Sequence, residues 1–99
     1  MKIVILGAGQ VGRSAATSLS REEANEVTVV DLDEDILRNL QDRLDVRTVA
    51  GNASYPSVLE AAGAPEADII AVKLRNLMSM LLPEHAHPLM KTVPLIEMS

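Results

Sequence analysis

The 99-residue chain has no cysteine, tryptophan or phenylalanine, and Tyr55 is its single aromatic residue. Without cysteine there is no disulfide framework, no thiolate zinc site and no thiol nucleophile. Without aromatics the core must be built from Val, Ile, Leu, Ala and Met, so many such side chains have to converge. Positive charge is scarce as well. Nine Lys and Arg stand against 14 Asp and Glu, for a net charge of −5. Bulk attraction to a phosphate backbone is thereby excluded, and nucleic acid is not an expected partner. No apolar run approaches the roughly 20 residues that cross a bilayer. The start of the chain passes directly into Ile3-Val4-Ile5-Leu6, too short a run for a secretory leader. Together these absences lead us to expect a cytoplasmic protein with no direct membrane insertion.

What is present is ordinary for a folded domain: 47% hydrophobic and 23% charged residues, within the range of globular proteins and far from that of disordered ones. The length suits one domain or part of one.

The unalternating β-branched run at residues 3–6, closed by Gly7, reads as a parallel strand buried on both faces. Val11, Ala15, Ala16 and Leu19 then recur at helical spacing over residues 10–19. Val27-Thr28-Val29-Val30, ending at Asp31, reads as a second buried strand. Asp33, Glu34 and Asp35 precede the stripe Ile36, Leu37, Leu40 and Leu44, with Arg38 and Arg43 toward its far end. That charge order complements a helix dipole, with Asp33 as the N-cap. A third strand is predicted over residues 46–50 and a turn over 51–54. A short helix over 57–62 follows, with Ser57 and Glu60 spaced as a capping box and Gly63 as its C-terminal cap. A fourth strand falls at residues 68–72. The order βαβαβαβ predicts a parallel sheet with right-handed crossovers. The expected fold class is thus α/β, a Rossmann-like sheet of about four strands with flanking helices, incomplete relative to the full dinucleotide fold.

Residues 73–99 hold four of the five methionines, three of the five prolines and both histidines. This change of character divides the chain into a Rossmann-like region, 1–72, and an atypical tail, 73–99. Leu74, Leu77, Met78, Leu81 and Leu82 form an amphipathic stripe that stops at Pro83. Pro94 interrupts residues 93–96, which could at most be an edge strand. Strand four therefore has no convincing neighbour after it, and an exposed apolar edge invites pairing with another chain. A homo-oligomer is expected.

Gly7-Ala8-Gly9-Gln10-Val11-Gly12 matches G-x-G-x-x-G. The motif is weak alone, but here it follows a strand, opens a helix and precedes Asp31 by about 20 residues, the context of a dinucleotide fold. Gly7 permits the tight turn, Gly9 the close approach of a pyrophosphate, and Gly12 the close seating of helix on strand. The pyrophosphate would meet the free amides and dipole of the helix start. Asp31 would accept hydrogen bonds from ribose hydroxyls and repel a 2′-phosphate, which favours NAD or NADH over the phosphorylated forms.

These residues, with Val29-Val30-Asp31, residues 44–49 and Gly51-Asn52-Ala53-Ser54, resemble the N-terminal nucleotide-binding domain of Trk-type potassium uptake proteins, the RCK or KTN class. The resemblance runs to about Val72. It implies that Gly7, Ala8, Gly9, Gln10 and Val11 line the phosphates, that Asp31 holds the adenosine ribose and that Asn52 and Ala53 sit near the adenine. It also implies a cytoplasmic regulatory protein that binds NAD(H), with ATP or ADP as other ligands, and gates an integral-membrane potassium transporter from the inner face of the membrane. Past Val72, Lys73-Leu74-Arg75-Asn76 departs from the pattern, so contacts to the nicotinamide side are not carried over.

Two further readings compete: the cofactor-binding half of an NAD-dependent dehydrogenase, and a truncated remnant that binds nothing. The first lacks room for a substrate half and offers no acid–base candidate, so no enzyme is expected. Glu84, His85 and His87 have too few neighbours in sequence for a metal site. Arg13 reads as an exposed first-turn residue. Ser54 and Tyr55 lack the Tyr-x-x-x-Lys spacing of a short-chain dehydrogenase.

Overall fold

The computed structural model describes residues 1–73 and 95–98. The elements are β1 (Lys2–Leu6), α1 (Gln10–Ser20), β2 (Glu26–Asp31), α2 (Glu34–Arg43), β3 (Arg47–Ala50), α3 (Pro56–Ala61), β4 (Ile69–Lys73) and β5 (Leu95–Met98), with a 3-10 turn at Ala64–Glu66 before β4. The strands form one sheet in the order β3-β2-β1-β4-β5, every pair parallel. The expected Rossmann-like architecture is present. Central β1 is flanked by β2 and β4, with Ile5 opposite Val29 on one side and Ala71 on the other.

Both faces of β1 are covered, which is why its run does not alternate. Val4 and Leu6 pack with Val30, Ile70, Val72, Leu59 and Ala62 under α3. Ile3 and Ile5 pack with Val27, Val29, Ala16, Leu37 and Leu40 under α1 and α2. The chain therefore runs outward from β1 to β3 beneath α1 and α2, then returns across the opposite face through α3 to β4. That reversal between β1 and β4 marks the end of the sheet, at the carboxyl ends of the strands, where open α/β folds place ligands. With no aromatic in either layer, each aliphatic residue carries more of the packing. Leu59, 2% exposed, is the main side chain that α3 contributes. We expect Leu59→Ala to cost about 2–5 kcal/mol, read from the urea midpoint at unchanged m-value.

The structure revises two sequence expectations. The third helix begins one residue earlier, at Pro56, with Tyr55 at the N-cap and no side-chain cap, so Ser57 and Glu60 form no capping box. Proline is suited to the first turn because its missing N–H has no partner there in any case. Gly63 does terminate the segment as expected, with φ 78° and its N–H donated to Glu60 O at 3.0 Å. The second revision concerns β4, which is paired along its outer side by β5, Ile70 opposite Leu95 and Lys73 opposite Met98. β5 is the edge strand that residues 93–96 were allowed to form, shifted so that its ladder with β4 runs over residues 95–98. The argument for oligomerisation from a bare β4 edge therefore falls. The stripe from Leu74 to Leu82 and the group Glu84, His85 and His87 lie outside the described residues.

Candidate functional site

The site is built at the carboxyl ends of β1, β2 and β3. After Leu6 the backbone turns sharply through Gly7, at φ 113°, a conformation that side chains with a Cβ rarely adopt. Gly7 N–H still donates to Val30 O at 2.7 Å, so the turn begins while the chain is tied to β2. Gly12 is required by contact. A Cβ there would lie 1.9 Å from Gly7 O and 2.9 Å from Gly7 C, so α1 can pass the end of β1 only if this position is bare. Gly9 differs from both: a Cβ would meet nothing within 4 Å. Nothing in the protein's own packing demands a glycine at this exposed tip.

The two helices that start beside the site are finished differently. α2 is capped by Asp33, whose Oδ1 accepts from Asp35 N at 3.0 Å and Ile36 N at 3.2 Å, and its first turn contains Glu34 and Asp35. The sequence expectation for Asp33 as an N-cap holds. α1 starts at Gly9 with no side-chain cap and no acidic residue in its first turn. Among the described residues no side chain caps its first amides, and none in its first turn compensates the positive end of its dipole.

Asp31, at the end of β2, joins the loops. Its Oδ2 accepts from Ala8 N at 2.7 Å, and its Oδ1 from Asp33 N at 2.8 Å. Its backbone oxygen accepts from Gly51 N at 2.9 Å. The Gly51–Ser54 turn is held in part by Asn52, whose Oδ1 accepts from Ser54 N at 2.8 Å and whose backbone oxygen accepts from Tyr55 N at 3.1 Å. Between these loops lies an open cleft of about 150 Å³ lined by Gly7, Val30, Asp31, Leu32, Gly51, Asn52, Ala53 and Ser54.

Of the residues singled out from sequence, the structure brings Gly7, Asp31, Asn52 and Ala53 into this one cleft. Ala8 joins through its amide, its methyl group being buried in the core. Gly9 stands at the loop tip, and Val11 and Gly12 lie in the first turn of α1. Gln10 lines a separate groove between α1 and α2, together with Arg13 and Arg43. Leu32 was missed: it is 71% exposed at the rim of the cleft. Sequence alone gives no cue to it, since a leucine beside a buried strand is ordinarily assigned to the core. Among the described residues, no group of His, Cys, Asp or Glu could hold a metal ion and no helix is long and apolar enough to cross a membrane.

Comparison with known proteins adds the lineage. The chain is 55% identical over 93 residues to the Trk system potassium uptake protein TrkA of Halomonas elongata, covering 93% of this chain and 20% of that protein. It is 42% identical over 93 residues to the TrkA of Haemophilus influenzae, with the same coverage of each. The chain thus spans about a fifth of the length of these curated relatives. Its fold is similar to that of a solved structure described as Shewanella denitrificans Kef CTD in AMP bound form. That match has a TM-score of 0.73 and 19% identity, covering 96% of this chain and 57% of the other. The profile of the TrkA-N domain matches residues 3–96, well past the Val72 limit of the resemblance in sequence, and the chain belongs to the TrkA-N domain family.

Proposed function

We propose that this domain binds an adenine nucleotide at the carboxyl ends of β1–β3, NAD or NADH first and ATP or ADP as other ligands, and that occupancy regulates potassium uptake. The observation that carries this reading is the bare start of α1. The chain caps α2 with its own acids but leaves α1 uncapped, beside a glycine whose missing side chain faces open space. A pyrophosphate fits both features, since it supplies the negative charge and occupies the room a Cβ would take. In this reading the free amides of Gly9, Gln10, Val11 and Gly12 meet the phosphates, and Gly7 and Ala8, whose amides are held by Val30 O and Asp31 Oδ2, line them through the shape of the loop. Asp31 takes the ribose hydroxyls on the lone pairs left free by its two loop bonds. Asn52 and Ala53 border the base, and the exposed face of Leu32 offers it an apolar surface. The description of the Shewanella domain as AMP-bound agrees with an adenosine ligand in this fold.

The reading is regulatory rather than enzymatic. Among the described residues, Asp31 is the one ionisable side chain lining the cleft, and both of its oxygens already hold loop amides, so these residues offer no acid–base pair there. The names of the related proteins, Trk system potassium uptake proteins, support a role in potassium uptake, with an integral-membrane transporter as partner and a cytoplasmic location at its inner face. We further propose that residues 1–72 carry the dinucleotide-binding unit, with residues 95–98 adding the edge strand β5 to its sheet.

Because Asp31 is fixed by two amides, its charge cannot swing away from a 2′-phosphate. NADH is therefore expected to bind at least about tenfold more tightly than NADPH, about 1.4 kcal/mol. Parallel titrations of the 99-residue chain at one salt concentration test this, and equal affinities would contradict the assignment of Asp31 to the ribose.

A further inference from the structure

Asp31 is joined to α2 by a short, unbroken series of hydrogen bonds. Its Oδ1 accepts from Asp33 N at 2.8 Å. Asp33 Oδ1 accepts in turn from Asp35 N at 3.0 Å and Ile36 N at 3.2 Å, and Asp33 O accepts from Leu37 N at 3.2 Å. The carboxylate facing the cleft and the cap of α2 are thus separated by a single residue, Leu32, which is itself exposed at the rim. The opposite oxygen of Asp31 holds Ala8 N at 2.7 Å. No comparable side-chain cap sits at the start of α1 or α3.

We propose that α2 is the output element of this site, its first turn tightening when a ligand engages Asp31. This rests on the reading that nucleotide ribose hydroxyls bind that carboxylate. Terminal turns of helices open far more often than their centres, so the first turn of α2 is an element with two states, capped and frayed. Hydroxyls bound to Asp31 fix the orientation of its carboxylate, and a fixed carboxylate holds Asp33 N–H for a larger share of the time. The ordering of the 31–36 segment is then shared between ligand and cap, which couples the two without a large displacement. α2 presents Glu34, Arg38, Gln41 and Asp42 to solvent, so the altered turn lies on the surface where a neighbouring domain can read it. The coupling is reciprocal by thermodynamic necessity: whatever the ligand does for the cap, the cap does for the ligand.

Amide hydrogen exchange on the full chain, with and without saturating NADH, tests the proposal. We expect Asp35, Ile36 and Leu37 to exchange about fivefold more slowly with NADH, and Leu59, in α3 on the far face, to be unchanged. Asp33→Ala, which removes the cap without touching the cleft, is expected to weaken NADH binding about fivefold. Asp33→Asn restores binding, because a single amide oxygen accepts both N–H groups as Oδ1 does. Slowed exchange at Ala8 with no change at Asp35, Ile36 and Leu37 would overturn the coupling while leaving the nucleotide site intact. Unweakened binding in Asp33→Ala would overturn it also. If NADH changes no amide at all, the site reading fails first and the coupling with it.

Discussion

Gly12→Ala is expected to destabilise the domain strongly, whereas Gly9→Ala, in the same motif, leaves the fold as it is. The difference follows from what a methyl group would meet. At Gly12 it would sit 1.9 Å from the carbonyl oxygen of Gly7, a backbone atom held at the end of the central strand, and no rotamer change can relieve the overlap. Either α1 lifts from the sheet, exposing Ala16 and the β1 face beneath it, or the Gly7 turn shifts and loses its bond to Val30 O. Overpacking of this kind costs about 3 kcal/mol or more, a large share of the roughly 5–15 kcal/mol available to a domain. For a chain of this size the expected fall in Tm exceeds about 10 °C, measured by circular dichroism. At Gly9 the methyl meets nothing, and replacing an N-cap glycine by alanine removes no side-chain cap, so the melting curve is expected to stay within a few degrees of wild type.

Asp31→Asn is expected to destabilise the chain nearly as much as Asp31→Ala, although it is isosteric. The two oxygens of Asp31 both face donors, Ala8 N–H and Asp33 N–H. An asparagine has one acceptor and one amino group, so whichever way it is turned a donor meets a donor. With its amino group toward Ala8 N–H it orphans the amide of a fully buried residue, at about 1–3 kcal/mol; turned the other way it keeps that bond but sets its amino group against Asp33 N–H and loses the second loop bond. Only a carboxylate of this length satisfies both loops. The expected result is a loss of about that size for Asn and Ala alike in urea titrations, with nucleotide affinity lowered in both. Wild-type stability in Asp31→Asn would show that the two loop bonds contribute little.

Most of this architecture was legible from residue order. The apolar runs in β1, β2 and β4 are β-branched and unbroken, so their burial on two faces could be read directly, and the charge order from Asp33 to Arg43 fixed both the start and the direction of α2. The glycine spacing located the α1 turn, and Asp31 followed from its place at the end of β2. What could not be read was local competition between neighbours. Pro56 displaced Ser57 as the start of α3, since a proline in the first turn outweighs an optional side-chain cap. β5 was hidden because Pro94 falls within its apolar run, and only the register with β4 shows that pairing begins one residue later. The double bond of Asp31 to the loops was equally invisible: residue type marks a carboxylate as an acceptor, but which amides reach it depends on how three loops converge.

Because Asp31 holds the site together as well as facing it, lost binding in an Asp31 variant does not isolate ligand contact. Gly9 does, since its replacement leaves the packing unchanged. The most direct test of the account is therefore a calorimetric titration of wild type and Gly9→Ala with NADH, after their melting curves have been shown to coincide. The account predicts saturable binding to wild type and a loss of at least about tenfold in Gly9→Ala, because the added methyl takes the space of the pyrophosphate. Equal binding by the two proteins, or none by wild type, would contradict a nucleotide seated on the glycine loop.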